Sequence, residues 1–262
     1  MSSPELSIVI PAHNEAGNIG SLINDIATTF SDNIAVEVIV VDDGSTDATA
    51  QEVLQCAARH SFPCRLLQHT VAAGQSLAVY HGMQAARGQW IATLDGDGQN
   101  NPADLWPMLQ RARPRGSSPL CIIGHRLARQ DSRWKLIQSA IANRVRQFVL
   151  HDGTPDTGCG IKILPAATCR QLPYFNHMHR YIPALVRRMG GEVISHPVSH
   201  RPRGAGVSKY NAWNRGWAGL VDMLGVRWLI YRSHGLVKVA ETRSLSITDT
   251  AKTKPGLHAK SG

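Results

Sequence analysis

The sequence predicts an α/β fold, a mixed and mainly parallel sheet with helices on both faces. Two observations predict it. Over the first hundred residues, short β-branched or apolar runs alternate with segments whose apolar residues recur at helical spacing, so the chain reads β-α-β-α-β-α-β. Strands joined by helices make a parallel sheet with right-handed crossovers. The runs are also apolar throughout, as strands buried on both faces are.

The first strand is Leu6 to Ile10, followed by a helix carrying Ile19, Leu22, Ile23, Ile26 and Phe30, with Asn14 as its N-cap. Val36 to Val41 is the second strand. Val53, Leu54, Ala57 and Ala58 then mark a helix capped by Asp47. Arg65 to Gln68 and Trp90 to Leu94 are the third and fourth strands, with a helix between them. Pro102 can start a further helix, and Leu120 to Gly124 reads as another strand.

Beyond that point the pattern loosens. Residues 132–149 are helical, with Leu136, Ile137, Ile141, Val145 and Val149 on one face. Gly158, Gly160, Pro165, Pro173, Pro183 and Pro197 cut the following stretch into short elements. That stretch is expected to extend the same sheet, partly antiparallel, rather than to form an independent domain. From Trp213, the residues Trp217, Leu220, Val221, Leu224, Trp228 and Leu229 repeat at helical intervals beside Arg215, Arg227 and Arg232. Two readings of this helix stay open: packing on the core, or resting on a bilayer. Residues 233–262, rich in Ser, Thr, Lys and Gly, read as a disordered tail.

The chain has 262 residues, 43% hydrophobic and 18% charged, which excludes a wholly disordered or collagen-like protein. Its 28 Lys and Arg against 19 Asp and Glu give a net charge of +9, so an anionic partner is expected: nucleic acid, an acidic membrane surface or a phosphorylated small molecule. Five scattered cysteines without CxxC spacing point to neither a zinc site nor a disulfide framework, and fit a reducing cytoplasm. The first residues lack the pattern of a secretory signal. The best apolar stretch, near the C-terminus, is interrupted by Asp222 and Arg227, so no membrane span is expected.

In open α/β sheets ligands bind at the carboxyl ends of strands. Three such ends are chemically loaded here: Pro11-Ala12-His13-Asn14-Glu15, Asp42-Asp43-Gly44-Ser45-Thr46-Asp47 and Asp95-Gly96-Asp97-Gly98-Gln99. Carboxylates gathered on one rim of a basic protein repel one another unless a divalent cation joins them. Asp97 and Gln99, with Asp95 close by, offer hard oxygen ligands suited to Mg²⁺ or Mn²⁺, with a diphosphate filling the remaining positions. The plainer reading is that DDGSTD is a turn with a helix cap and that Asp-x-Asp is a solvated loop. Placement after successive strands favours the site.

The segments PAHNE, VVDDGSTD, AAGQSLAVYHGMQAARG and LDGDGQNNP, in that order, resemble the family 2 glycosyltransferases of GT-A (Rossmann-like) fold, and within them the dolichol- or polyprenyl-phosphate mannosyltransferase group. The resemblance continues through Ile123-Gly124-His125-Arg126, Asp156 to Gly160, Met178-His179-Arg180 and Arg203 to Tyr210.

It implies that Pro11, His13, Glu15, Asp42 and Asp43 line a nucleotide pocket, and that Asp95, Asp97 and Gln99 serve the metal and diphosphate. Arg126 would face the phosphates. Arg203, Ser208 and Lys209 would close over the sugar nucleotide, and Lys135 and Ser139 would contact a lipid phosphate. On this basis Asp95, Asp97, Arg126 and Arg203 are the catalytic candidates. Residues 1–232 form the transferase domain, with 1–105 as the nucleotide-sugar half, 106–212 as the acceptor half and 213–232 as the amphipathic helix. His13 stands where Tyr is common, Lys135 where some relatives have Arg, and Gly96 and Gly98 would make the metal loop flexible. His179 is read as a structural hydrogen-bonder and Cys159 as a small buried hydrophobe.

The expected reaction is transfer of a mannose- or glucose-like hexose from a GDP- or UDP-sugar to undecaprenyl or dolichyl phosphate, with inversion. A lipid monophosphate is already largely dianionic near neutral pH, so positive charge and a metal matter more than a base. The protein would sit at the cytoplasmic face of an anionic membrane, bound peripherally or through a membrane-protein partner. A family 2 transferase acting on a saccharide hydroxyl is the rival, and would need a carboxylate base. A nucleic-acid binder is the remote one, resting on net charge without an aromatic-basic platform.

Overall fold

The computed structural model describes residues 3–30, 34–126, 143–199, 201 and 212–232. Seven strands form one sheet in the order β3-β2-β1-β4-β6-β5-β7: β1 Leu6–Ala12, β2 Val36–Asp42, β3 Cys64–Gln68, β4 Trp90–Thr93, β5 Leu120–Arg126, β6 Lys162–Pro165 and β7 Glu192–Val198. β1 pairs in parallel with β2 and β4, β2 with β3, and β5 with β7. β6 alone among these runs antiparallel, against β4 and β5. The mixed extension expected of the second half is therefore present.

The helices are α1 Ile19–Phe30, α2 Thr49–Ala57, α3 Gln75–Ala85, α4 Leu105–Ala112, α5 (143–150), α6 Ala166–Cys169, α7 Ile182–Arg188 and α8 Ala212–Arg232. They form two layers. Apolar residues of α1, α2 and α4 pack with Leu6, Ile8 and Ile10 on one face of the sheet. Those of α3, α6 and α7 pack with Val9, Ile39 and Val41 on the other. Ile8, Val9 and Ile10 are all fully buried, which is why β1 shows no polar alternation. Each such side chain contributes about 1.5–3 kcal/mol.

Two expected caps differ. Asn14 does not cap α1, which begins five residues later; it holds a left-handed turn (φ 55°) instead. Asp47 lies one residue ahead of the cap position of α2. Its Oδ1 accepts from the Thr49 N–H and hydroxyl, while Oδ2 accepts from the Ala16 N–H. Pro102 opens a 3₁₀ turn, Pro102–Asp104, that leads into α4.

The inward face of α5 carries Arg146 and Leu150, while Val145 and Phe148 of the expected apolar face or beside it are exposed. α8 packs on the core through one face and leaves another exposed. Met223 and Val226 are buried against Leu150, Tyr181 and Ala184, whereas Val221, Leu224, Trp228 and Tyr231 form an exposed stripe. No helix among the described residues is long and apolar enough to cross a membrane.

From β1 the chain moves outward through β2 to β3, then returns with β4 on the other side of β1. This reversal opens a crevice at the carboxyl ends of β1 and β4, the place where such sheets bind ligands.

Candidate active site

Side chains after β2 clamp the loop that follows β1. The Asn14 N–H donates to Ser45 Oγ (2.9 Å) and its Oδ1 accepts from the Thr46 N–H (2.8 Å). The Glu15 N–H donates to Thr49 Oγ1, and the Gly17 N–H to Glu52 Oε1, both at 2.8 Å. Ser45, Thr46 and Asp47 thus act as turn residues, as the plainer reading has it, although none of them occupies the cap position of α2. By doing so they fix the rim on which PAHNE sits. Pro11 is buried, His13 is exposed with its Nδ1 2.7 Å from the Asp43 carbonyl, and the Glu15 carboxylate accepts from Asn18 Nδ2.

Asp42 and Asp43 are only 2% and 5% exposed, and both are engaged by the protein. Asp42 accepts from the Ser45 N–H and Gln68 Nε2. Asp43 accepts from the Ala73 and Gly74 N–H groups and meets His69 Nδ1 at 2.7 Å, which shapes the loop before α3. Burial raises its carboxyl pKa, but these donors outweigh burial and hold it below the usual carboxylate range.

Asp95, Gly96 and Asp97 follow β4. Gln75 Nε2 from the start of α3 donates to Asp95 Oδ1 (2.9 Å), and Asn100 Nδ2 lies 3.4 Å from Oδ2. Burial and the Asp97 charge push the Asp95 pKa up to about 6, against the pull of Lys162, Arg126 and Gln75. Gly96 is not a flexible spacer: a Cβ there would come 2.9 Å from the Pro11 carbonyl oxygen, so the loop passes directly over the end of β1. Gly98 does need its glycine conformation (φ 72°). The Gln99 N–H donates to Asp97 Oδ1, and its carbonyl accepts from the Arg201 N–H.

Among the described residues no three His, Cys, Asp or Glu gather as a self-contained metal cage. Two mutually repelling carboxylates with an amide nearby, one of them burdened by burial, nevertheless fit a hard divalent cation whose remaining ligands come from a diphosphate.

Arg126, the last residue of β5, makes a bidentate pair with Asp156: Nε to Oδ2 at 2.8 Å and Nη2 to Oδ1 at 2.9 Å. The loop bearing Asp156 is tied to α5. Arg146 bonds Asp152, Asn143, Thr157 and the Thr154 carbonyl, and Asn143 Nδ2 donates to the Pro155 carbonyl. Sequence reasoning missed this knot. It also missed Gln75 and Lys162, although a lysine inside the otherwise apolar run of β6 was a usable signal. Lys162 is 3% exposed. With Pro11, Gln75, Asp95, Gly160 and His179 it lines a pocket at the carboxyl ends of β1 and β4. Cys159 is a buried free thiol, as expected, with its pKa raised by burial. Lys135, Ser139, Arg203, Ser208 and Lys209 lie outside the described residues.

The family model described as Glycosyl transferase family 2 matches residues 7–171. The chain is 34% identical over 238 residues to a dodecaprenyl-phosphate galacturonate synthase of Rhizobium johnstonii, covering 88% of this chain and 68% of the relative. It is 29% identical over 206 residues to an undecaprenyl-phosphate 4-deoxy-4-formamido-L-arabinose transferase of Edwardsiella ictaluri, covering 78% and 62%. The chain thus spans about two thirds of the length of these curated relatives. Among solved structures, glucosyl-3-phosphoglycerate synthase of Mycobacterium tuberculosis, in complex with Mn²⁺, UDP-glucose and phosphoglyceric acid, superposes with a TM-score of 0.63 at 18% identity. That match covers 85% of this chain and 80% of the other, and shows a shared GT-A-like fold.

Proposed function

The chain belongs to glycosyl transferase family 2, and on that premise we propose that it moves a hexose-type sugar from a UDP- or GDP-sugar to a polyprenyl phosphate, with inversion and with Mg²⁺ or Mn²⁺ bound. The observation that carries this reading is the placement of Asp95 and Asp97 beside the β1–β4 crevice, with Arg126 close enough to pull on the Asp95 pKa. The names of the two relatives support the acceptor class.

In the proposed reaction an oxygen of the lipid phosphate attacks the anomeric carbon, whose bond to the diphosphate oxygen breaks with its electron pair leaving on the nucleotide. The phosphate arrives as a dianion, so no strong base is needed. Asp95, Asp97 and Gln99 would hold the divalent cation, which when bound supplies positive charge to the departing diphosphate. Gln75 and Asn100 orient the Asp95 carboxylate. Asp156 holds the Arg126 guanidinium in one orientation, ready to face phosphate oxygens. His13 and Glu15 line the nucleotide side, over buried Asp42 and Asp43. Lys135 and Ser139 are the proposed lipid-phosphate contacts, and Arg203, Ser208 and Lys209 the donor-closing ones. Residues 1–105 would bind the donor and 106–212 the acceptor.

The exposed α8 stripe, with exposed Arg227 and Arg232, would rest on an anionic cytoplasmic leaflet. Purified protein with Mn²⁺, a sugar nucleotide and undecaprenyl phosphate is expected to form a glycolipid. Asp97→Ala is expected to abolish it. Product formed equally well in chelator, or transfer only to a free saccharide hydroxyl, would overturn the proposal.

A further inference from the structure

Lys162 is almost fully buried on β6, yet its Nζ has one hydrogen-bond partner, the Cys159 carbonyl at 2.6 Å, and no carboxylate of the described residues pairs with it. A buried ammonium without a counter-charge costs several kcal/mol, so such lysines are normally paired. Asp95 feels its charge at longer range but does not form an ion pair with it.

His179 lies beside it in the same pocket. Its Nδ1 is 2.6 Å from Ser76 Oγ, and Nε2 has no partner among the described residues. Burial, reinforced by the Lys162 and Arg180 charges, holds the ring pKa well below the usual histidine value, so the imidazole is neutral. Ser76 Oγ thus engages Nδ1 and leaves Nε2 open to a ligand. The pocket therefore offers a buried lysine amine and an unengaged imidazole nitrogen, at the ends of β1 and β4 where the donor is proposed to sit.

We propose that Lys162 and His179 form a carboxylate-reading subsite, and that the sugar transferred is of the uronic acid class. The inference rests on the transferase reading above. A single carboxylate matches one lysine with an imidazole beside it that can present its N–H, whereas a dianionic phosphate calls for more positive charge than this pocket holds. The diphosphate already has Arg126 and the carboxylate rim to serve it. The relative that is 34% identical is named for galacturonate transfer.

The test compares donors that differ only at C6, UDP-galacturonate with UDP-galactose and UDP-glucuronate with UDP-glucose. Glycolipid formation is measured together with nucleotide-sugar binding by calorimetry in Mn²⁺. The wild type is expected to favour the uronates by at least about tenfold in kcat/KM. Lys162→Met should collapse that ratio, through a raised KM for the uronates, while Lys162→Arg retains most of it. Replacing a buried charge with an apolar chain of similar length is usually tolerated by the fold, and the wild-type comparison decides even where a variant is poorly folded. Equal use of neutral hexoses, equal losses on both donors in Lys162→Met, or a raised KM for polyprenyl phosphate in its place would each overturn the subsite. No glycolipid from any sugar nucleotide would instead overturn the transferase reading itself.

Discussion

The Asp95 carboxylate fills the space that a side chain at position 160 would occupy: a Cβ built on Gly160 would overlap both of its oxygens. Gly160 cannot easily retreat, because its carbonyl accepts from Thr93 Oγ1 at 2.6 Å. Gly160→Ala is therefore expected to turn Asp95 away from Gln75 and Asn100. The fold should lose only about 1–3 kcal/mol, the usual cost of one extra methyl in a packed site. Catalysis should fall more than tenfold, and Mn²⁺-dependent stabilisation by UDP should shrink in a thermal melt. A variant with wild-type turnover would show that the orientation of Asp95 is unimportant.

Arg126 and Asp156 form a half-buried fork, with side-chain exposures of 18% and 6%. Asp156→Ala strands a guanidinium in a partly desolvated place, and about 1–3 kcal/mol of stability should be lost in a urea titration, less than for a fully buried pair. Arg126→Lys keeps the charge but not the fork, so donor KM should rise while the melting temperature changes little. Equal losses in both variants would make the pair purely structural.

The strands and the first two helices were legible because their signal is local. Val36 to Val41 or Ile19 to Phe30 show their period without reference to anything distant. The rim was legible too, since Asp42, Asp95 and Asp97 follow apolar runs that end at one edge. The Asn14 cap was misplaced because its partners, Ser45 and Thr46, are about thirty residues away, and Asp47 falls one residue short because it is shared between Thr49 beside it and the distant Ala16 N–H. The partners of Arg126 and Lys162 were out of reach for the same reason. No spacing rule links Asp156 to the end of β5, or places a β6 lysine beside His179. On α8 the sequence shows apolar residues recurring at helical intervals, and only tertiary packing separates buried Met223 and Val226 from exposed Trp228 and Tyr231.

Asp43 makes stability depend on acid. Its folded pKa lies below the unfolded value of about 3.9, so below that value the unfolded chain binds a proton more readily. Its contribution is present above about pH 4 and is lost as pH falls through the folded pKa. Asp43→Asn should flatten the slope of unfolding free energy in this acid range. At neutral pH it should cost about 2 kcal/mol, for weakened bonds to the Ala73 and Gly74 N–H groups. An unchanged slope in denaturant titrations from pH 3 to 5 would assign the acid sensitivity elsewhere.

Arg146 joins α5 to the loop that carries Asp156. It is 7% exposed, pairs with an Asp152 that is 1% exposed, and also bonds Asn143, Thr157 and the Thr154 carbonyl. Removing the guanidinium leaves the buried Asp152 carboxylate without its counter-charge, although the Thr154 N–H still reaches its Oδ1 and Gln147 Nε2 still serves the Thr154 carbonyl, so Arg146→Met should cost about 3–5 kcal/mol. The double variant Arg146→Met with Asp152→Leu removes both charges and should recover a large part of that loss, because apolar side chains can replace a buried ion pair at little cost. If Arg146 also positions Asp156, the double variant will regain stability without regaining the wild-type donor KM. Hydrogen exchange across residues 151–157 should then remain faster than in the wild type even after the melting temperature is restored. Recovery of stability and donor KM together would confine Arg146 to a structural role.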